Sequence, residues 1–243
     1  MITVICCYNN KKMYEDFVIK SLCNQEVPYE LIGIDNTDGK FKSMASAYNA
    51  VLNNAHGEYV LFCHQDIDFL SKDSLALICG YLTNHPSELV GFAGITKNCI
   101  VFSNLKYRDD NSYITNAQLA QPEYVEALDE CCFACRRDIL LDIGGFNEKL
   151  CNGWHMYCAE LCLRWKLRGF LISVLPVSLY HKDNGSSGLY VDSSFLAIFK
   201  KIALYYRKSF SRIYSCCYVS STNPILLRMR LFKTFCKLFV RNR

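Results

Sequence analysis

A cluster of polar side chains follows a short apolar run, where His64, Gln65, Asp66 and Asp68 come directly after Tyr59–Cys63. The aromatic and β-branched residues of the run predict a short buried strand. In open α/β sheets, ligands bind just beyond the carboxyl ends of the strands. Carboxylates and an imidazole at that place predict a site for a metal ion and its phosphate ligand. The alternative is a surface turn in which an aspartate caps the next helix.

Two further predicted strands, Ile2–Tyr8 and residues 31–34, also end in polar groups, with Asn9 after the first and Asp35 after the second. Between the second strand and Tyr59, apolar residues recur at helical spacing from residue 44 to residue 55. Strands and helices that alternate with short connections predict a parallel sheet covered by helices. The three polar groups then share one edge of the sheet, where a nucleotide would bind.

The remaining predicted elements are less regular. Helices are predicted at residues 15–23, 73–82 and 154–168, and strands at residues 89–95 and 170–175. No Gly-x-Gly-x-x-Gly follows the first strand, and the chain has no Gly-Lys-Ser/Thr sequence. Both absences argue against a redox dinucleotide or a P-loop nucleotide as the ligand.

The composition is that of a globular protein, with 243 residues, 51% hydrophobic residues and a mean hydropathy of +0.05. This length accommodates one α/β domain, or a domain of about 200 residues with an appendage. The chain has no uninterrupted run of 18 apolar residues, so a membrane-spanning helix is not predicted. It begins directly as a strand, so we predict no signal peptide.

Fifteen cysteines fall mostly within apolar runs, where a free thiol behaves as a small buried hydrophobe. We predict reduced thiols and a cytoplasmic location. The alternative is structural zinc at Cys131, Cys132 and Cys135, although a second cysteine pair at zinc-ribbon spacing is missing.

Charge is distributed unevenly along the chain. Residues 195–243 contain 11 Lys or Arg and no acidic residue, whereas residues 1–194 contain 16 basic and 23 acidic residues. The predicted organisation is therefore a domain of residues 1–194 and a basic helical C-terminal extension of residues 195–243. An acidic body with a basic tail indicates different partners for the two parts.

The tail is amphipathic at helical spacing between residues 225 and 241. Arg230, Lys233, Lys237 and Arg241 share a narrow sector, and the apolar residues spread over the opposite side: Leu227, Leu231, Phe232, Phe235, Leu238, Phe239 and Val240. This pattern predicts a helix bound to an anionic membrane surface. The alternative is a helix packed on the body with a solvated basic stripe. Nucleic acid is not predicted as a partner, because no recognised binding motif accompanies the charge.

Eight short blocks occur in an order that is typical of one family. They are VICCYN (4–9), GIDNTDG (33–39), AYN (47–49), GEYVLFCHQD (57–66), LDECCF (128–133), GGF (144–146), GWHMY (153–157) and LCLR (161–164). Together they resemble the GT-A glycosyltransferases of family 2, in a bacterial branch with His-Gln-Asp in place of Asp-x-Asp. The resemblance covers about residues 1–185.

The resemblance implies an α/β GT-A fold with a mostly parallel sheet flanked by helices. It also implies an inverting, metal-dependent enzyme that uses Mg²⁺ or Mn²⁺. Such an enzyme moves a sugar from a nucleotide-sugar donor, UDP-linked in most relatives, to a hydroxyl of a glycan or lipid-linked acceptor. The expected process is surface polysaccharide synthesis.

The family also implies roles for residues on the donor side. Asp35 contacts the nucleoside, and Asn9, His64 and Gln65 lie at the donor edge. Asp66 holds the metal on the diphosphate. The residue-level alternative for Asp35 is a turn-forming side chain.

On the other side of the predicted site, His181 completes the metal or diphosphate site, and Asp129 and Trp154 shape the acceptor side. The alternative for His181 is a solvated loop histidine.

Two positions depart from the family pattern. His64 replaces the first Asp of the motif, which leaves the metal to Asp66 alone or to Asp66 with His181. The usual catalytic carboxylate is replaced by Cys158, so the predicted base is Glu160, the nearest carboxylate, with His155 second. The alternative for Glu160 is an ion pair with a residue four positions later, Arg164.

Because of these departures, a nucleotide-sugar-binding protein without activity is a rival function. A nucleotidyltransferase is a second rival, although its usual Gly-rich loop is missing near the first strand.

Overall fold

The computed structural model describes residues 1–182 and 191–241, with side chains described as far as residue 238. The first half contains β1 (Ile2–Tyr8), α1 (Lys11–Tyr14), a π-helical segment (Glu15–Ile19), α2 (Lys20–Leu22), β2 (Tyr29–Asp35), α3 (Met44–Leu52), β3 (Tyr59–Cys63), β4 (Ile67–Phe69), α4 (Ser74–Asn84), β5 (Leu89–Gly91), β6 (Ala93–Ile95) and β7 (Val101–Ser103). The second half contains β8 (Glu123–Tyr124), β9 (Ala127–Leu128), β10 (Cys132–Arg136), α5 (Arg137–Asp142), α6 (Tyr157–Leu167), β11 (Ile172–Val174), β12 (Leu179–His181), α7 (Ser193–Tyr205), β13 (Arg212–Ser215), β14 (Tyr218–Ser221) and α8 (Pro224–Arg241).

A seven-stranded sheet forms the centre of the molecule, in the order β2-β1-β3-β10-β5-β11-β8. Five strands run in one direction, and β10 and β8 run against them. The central strands β1 and β3 are almost entirely buried, because helices cover both faces of the sheet. Such strands appear in a sequence as continuous apolar runs rather than as alternating patterns. The predicted α/β class with a mostly parallel sheet is confirmed.

Side chains of successive residues point to opposite faces of the sheet, and each face has its own apolar cluster. One cluster joins Ile5 and Phe62 to residues of α3, α6 and α7. The other joins Val4 and Leu61 to the first helical segments and to α4. The first helix begins at Lys11, earlier than predicted, because the Asn10 side chain caps it by accepting the Met13 N–H at 3.0 Å.

The C-terminal extension belongs to the first of these clusters. Phe195, Phe199 and Ile202 of α7 are buried in it, and α8 adds Leu227. The hairpin of β13 and β14 between these helices was not predicted from the sequence. The domain boundary between residues 194 and 195 stays a prediction.

Two predicted elements differ from the structure. The strand at residues 89–95 divides at Phe92, where the chain leaves the central sheet and enters a separate sheet of β7, β6 and β9. The helix predicted from Trp154 begins only at Tyr157, because Met156 adopts a left-handed conformation with φ 68°. A non-glycine residue seldom adopts this conformation, which is not helical, so the regular helix begins only after Met156.

The predicted C-terminal helix is present as α8, but its apolar residues divide between two faces. Leu227 is 1% exposed, and Leu231 and Leu238 pack against the core. Phe232 and Phe235 face solvent instead. The side chains of Phe239, Val240 and Arg241 lie outside the described residues. Within the described ranges, no helix combines the length and the hydropathy needed to cross a bilayer.

Candidate active site

The carboxyl ends of three neighbouring strands meet at one edge of the sheet. Parallel pairing places Tyr8 of β1 opposite Asp35 of β2, and Cys6 of β1 opposite Cys63 of β3. The polar residues that follow these strands therefore come together, as the alternation of elements predicts. This edge carries the candidate site.

Hydrogen bonds of the Gln65 side chain link the end of β3 to the end of β1. Its Oε1 atom accepts the N–H groups of Asn9 at 3.0 Å and Asn10 at 2.9 Å. Its Nε2 atom donates to Asn9 Oδ1 at 2.8 Å. The predicted donor residues Asn9 and Gln65 thus form one hydrogen-bonded unit, which holds the backbone of this edge in place.

His64, Asp66 and His181 form a group suited to a metal ion, with one potential ligand atom of each lying within 4.8 Å of the others. His181 is at the end of β12, which pairs with β4. Its Nε2 atom lies 3.5 Å from Asp66 Oδ1. His181 therefore lies at the end of a strand and not in a solvated loop, and His64 is a third member of the metal group. Two imidazoles and a carboxylate are a donor set that can coordinate a divalent metal ion.

Hydrogen bonding determines which nitrogen of His64 is free. Tyr157 Oη donates to the Glu130 backbone carbonyl at 3.1 Å, so it accepts from His64 Nε2 at 3.0 Å. Nδ1 then keeps the lone pair that a cation needs. Burial lowers the pKa of His64, which favours the neutral, ligating form.

A cavity of ≈ 500 Å³ opens beside the metal group. It is lined by Cys7, Tyr8, Asn9, Asn36, Met44, His64, Gln65, Asp66, Glu130, Trp154 and His155. Asp35 is next to the lining residues but is not among them. Its Oδ1 atom accepts the N–H and the hydroxyl of Thr37, so the turn-forming alternative is present in the structure. These bonds hold the pKa of Asp35 below its usual range.

A second cavity of ≈ 220 Å³ adjoins the first. Its lining includes the predicted acceptor-side Asp129 and the metal-group His181. Phe195, Ser215, Cys216 and Cys217 of the extension form one wall: the sequence analysis assigned no site residue to this part of the chain. Trp154 lines the larger cavity instead, and is 40% exposed.

Glu160 is not brought to either cavity. Its side chain is fully buried, and its carboxylate accepts from Arg164 Nε at 3.0 Å and from Tyr206 Oη at 2.6 Å. Asn147 Nδ2 donates to it at 3.1 Å. The pair with Arg164 is the structural alternative stated above, and this geometry does not favour Glu160 as a base. His155, the second predicted base, borders both cavities.

Glu130 also borders both cavities, and the sequence analysis gave it no role. Its Oε1 atom is buried and has no hydrogen-bond partner within the part of the chain that the structure describes. Burial, and then the charge of Asp129, raise the pKa of Glu130 well above its usual value, and the backbone N–H groups of Met156, Tyr157 and Cys158 oppose this shift. The sequence signal was the acidic pair directly before a buried strand.

The fold and this edge of the sheet define the GT-A class. A model of the glycosyltransferase-like family matches residues 3–183, and the chain belongs to this family. The predicted family resemblance is confirmed, while the branch with His-Gln-Asp stays a prediction. A curated relative from Fuscovulum blasticum, "ATP synthase subunits region ORF 6", is 28% identical over 205 residues, which are 77% of this chain and 75% of that protein.

Three solved structures share the fold. TarS 1-349 from S. aureus with UDP-GlcNAc has a TM-score of 0.59 at 18% identity, over 84% of this chain and 65% of that one. GalNAc-T7 with UDP, GalNAc and Mn²⁺ has a TM-score of 0.60 at 10% identity, over 86% and 50%. The mannosyltransferase PcManGT from Pyrobaculum calidifontis with GDP-Man and Mn²⁺ has a TM-score of 0.57 at 15% identity, over 85% and 61%. The chain thus spans between half and two thirds of their lengths.

Proposed function

We propose that this protein transfers a sugar, with inversion, from a nucleotide-sugar donor to a hydroxyl of a glycan or lipid-linked acceptor. The carrying observation is the group of His64, Asp66 and His181 at the carboxyl edge of the sheet, beside a cavity of ≈ 500 Å³. Ligands of α/β sheets bind at this edge. The process would be surface polysaccharide synthesis.

The donor class is supported by the solved structures of the same fold. The TarS structure is a complex with UDP-GlcNAc, and the PcManGT structure is a complex with GDP-Man and Mn²⁺. We propose a UDP-linked donor, because Asp35 stands at the end of β2 where the family contacts the nucleoside. Tyr8 and Asn36 beside it line the cavity.

The residues of the site then have separate roles. Asp66, His181 and the free Nδ1 of His64 would hold Mg²⁺ or Mn²⁺, and a divalent cation bound there neutralises charge on the diphosphate leaving group. Asn9 and Gln65 keep the strand ends in register around the diphosphate. Asp129 in the smaller cavity would bind the acceptor, and Trp154 would cover the sugar from the larger cavity.

A protein that binds nucleotide sugars without transferring them is the second candidate. It is favoured by Cys158, a buried thiol at the position where the family resemblance implies a carboxylate. Burial raises the pKa of this thiol well above its usual value, so it stays neutral. A neutral thiol cannot accept the proton of an acceptor hydroxyl.

One experiment separates these functions. UDP-, GDP- and dTDP-linked sugars are incubated with the protein and Mn²⁺ or Mg²⁺, and release of nucleoside diphosphate is followed while calorimetry measures donor binding. Release from one donor class is the expected result. Binding without release would support the inactive candidate, and release of pyrophosphate from a sugar phosphate and a nucleoside triphosphate would support a nucleotidyltransferase.

We also propose that α8 attaches the protein to the cytoplasmic face of the membrane. Ile225, Met229 and Phe232 form an exposed stripe on α8, with exposures of 70%, 64% and 73%. The stripe lies opposite the face that packs on the body, as the helical spacing requires. Lys233 and Lys237 lie beside it, and the extension contains no acidic residue. An apolar stripe flanked by cations fits an anionic lipid surface.

Cosedimentation with phosphatidylglycerol-containing liposomes tests this attachment. The triple variant Ile225→Ser, Met229→Ser, Phe232→Ser should remain in the supernatant at low salt while the unmodified chain sediments. The matched control is Leu77→Ser, which changes an exposed apolar residue of α4. Equal sedimentation of the triple variant and the unmodified chain would contradict the proposal.

A further inference from the structure

Where α6 begins, the two cavities meet, and three side chains border both of them: His64, Glu130 and His155. A proton acceptor for sugar transfer must reach the acceptor hydroxyl while that oxygen faces the donor's anomeric carbon. In the proposed function, the donor occupies the larger cavity and the acceptor the smaller one. The junction between the cavities is therefore the place from which a base can act.

Glu130 is the carboxylate at this junction. The residue precedes β10, and its backbone carbonyl is fixed by the hydroxyl of Tyr157. Its Oε1 atom is buried, and no hydrogen-bond donor reaches it among the residues that the structure describes. Buried polar atoms are almost always paired, so an unpaired one calls for a specific reason.

The first turn of α6 carries backbone groups that face the Glu130 carboxylate. The N–H groups of Met156, Tyr157 and Cys158 interact with it favourably. The N-cap residue of α6, Met156, makes no side-chain cap of its own. A helix N-terminus stabilises an anion, so these N–H groups favour the ionised form of Glu130 and oppose the effect of its burial.

The turn that faces Glu130 contains Cys158, where the sequence departs from the family pattern. The family resemblance implies a carboxylate on the helix itself, at the position of Cys158. Here the Cys158 thiol is buried and neutral, and the Glu130 carboxylate lies against the same backbone turn. A carboxylate therefore faces this turn from the loop before β10, although the helix itself lacks the expected one.

We infer that Glu130, rather than Glu160 or His155, accepts the proton of the acceptor hydroxyl in the proposed transfer. The O–H bond of the acceptor breaks and its proton moves to Glu130. The oxygen lone pair forms the bond to the anomeric carbon. The bond from that carbon to the diphosphate breaks, and its electrons leave with the nucleoside diphosphate. The proton on Glu130 then returns to water.

The environment of Glu130 suits this role. Burial and the nearby charge of Asp129 raise the pKa of Glu130. A raised pKa makes proton transfer to the ionised carboxylate more favourable. The inference rests on the proposed function and identifies the residue that performs its central step.

The test compares Glu130→Gln with Glu148→Gln, which removes an exposed carboxylate from a loop before α6. Glu130→Gln should lower kcat about 10²- to 10⁴-fold, the range typical of general bases, while KM for the donor changes less than about threefold. Glu130→Asp should recover part of the rate. Thermal unfolding of each variant verifies that the fold is intact, and Glu148→Gln should keep the full kcat.

Two results would overturn the inference. One is an unchanged kcat in Glu130→Gln together with a large loss in His155→Ala. The other is a loss in Glu130→Gln that follows its folded fraction, because a purely structural role predicts that relation. Failure of the proposed function is a different outcome, since then the unmodified chain releases no nucleoside diphosphate from any donor.

Discussion

Two glutamates contact the same helix, and their surroundings differ in one respect. Glu160, in the first half of α6, has three side-chain donors on its carboxylate, from Asn147, Arg164 and Tyr206. Glu130, which faces the start of α6 from the loop before β10, keeps a buried oxygen without a partner in the described part of the chain. The carboxylate of Glu160 is fully hydrogen-bonded and faces the core. The carboxylate of Glu130 keeps an unpaired oxygen and borders two cavities.

The difference teaches how to separate structural from functional carboxylates near a site. A buried charge with all its acceptors filled cannot take a proton from a substrate without breaking a network that stabilises the fold. A carboxylate with an unused acceptor has lost solvation without compensation, which the protein tolerates at functional positions. Proximity in sequence to the family motif favoured Glu160 as the base. The unpaired oxygen of Glu130 favours Glu130 instead, because the carboxylate of Glu160 is fully hydrogen-bonded.

The largest expected effect concerns Asp66, a carboxylate that, like Glu130, borders the larger cavity. Asp66→Ala should lower metal-dependent turnover by at least about 10³-fold, because the metal group loses its carboxylate. Calorimetric titration with Mn²⁺ should show the same loss of binding without any donor present. The matched control is Asp68→Ala, whose carboxylate lies near Arg108 and outside the metal group. Full Mn²⁺ affinity in the Asp66 variant would remove this residue from the site.

For the fully hydrogen-bonded Glu160, the substitution Glu160→Ala should reduce the free energy of unfolding by about 3–5 kcal/mol, because Arg164 is left partly buried without its anion. Urea unfolding measures this loss. Below the unfolding transition, kcat per folded molecule should change less than about twofold, since the residue does not reach the substrate. A fall in kcat with unchanged stability would restore Glu160 as the base.

A smaller effect is expected from Tyr206→Phe, which removes one donor to Glu160 and keeps the ring. Hydrogen bonds to charged groups contribute about 1.5–3 kcal/mol, and the free energy of unfolding should fall within that range. Tyr205→Phe is the control, because Tyr205 is 67% exposed. Equal stability of the two variants would mean that the Glu160 network does not depend on the extension.

The smallest effect concerns pH. The pKa of Glu130 is raised in the folded protein, so between its unfolded and folded values only the unfolded chain is ionised. The free energy of unfolding then falls as pH rises through that window, by at most about 1.4 kcal/mol per pH unit. Glu130→Gln removes this slope, so it should match the unmodified chain near pH 4 and exceed its stability at pH 7.

Urea unfolding at both pH values, without divalent cations, gives this comparison. A Glu130→Gln variant that is less stable than the unmodified chain at pH 7 would show that the carboxylate stabilises the start of α6 more than its burial costs.

The sheet and its polar edge could be predicted because local signals agree there. β1 and β3 are continuous apolar runs, and each is followed directly by the polar residues that the edge needs. Asn9, Gln65 and Asp66 lie where the strand order requires. This part of the site depends on short-range sequence and parallel pairing alone.

The rest could not be predicted, because it depends on contacts between distant residues. Only the family resemblance placed His181 with Asp66, because the pairing of β12 with β4 that brings them together is not visible in the local sequence. The β13–β14 turn, which brings Cys217 to the smaller cavity, was not predicted at all. The base position depends on whether a carboxylate finds partners in three dimensions. Sequence spacing shows that Glu160 can pair with Arg164, but it does not show that Tyr206 and Asn147 also donate hydrogen bonds to the Glu160 carboxylate.

The turn between β13 and β14 has a consequence for how such enzymes can be redesigned. Ser215, Cys216 and Cys217 contribute to the smaller cavity, while the residues around the metal group come from elements far earlier in the chain. In the proposed function the smaller cavity holds the acceptor, so exchanging these few residues should alter which acceptors fit and leave the donor side unchanged. On the proposed function, grafting other loops onto this hairpin would therefore change acceptor specificity without altering the carboxyl edge of the central sheet.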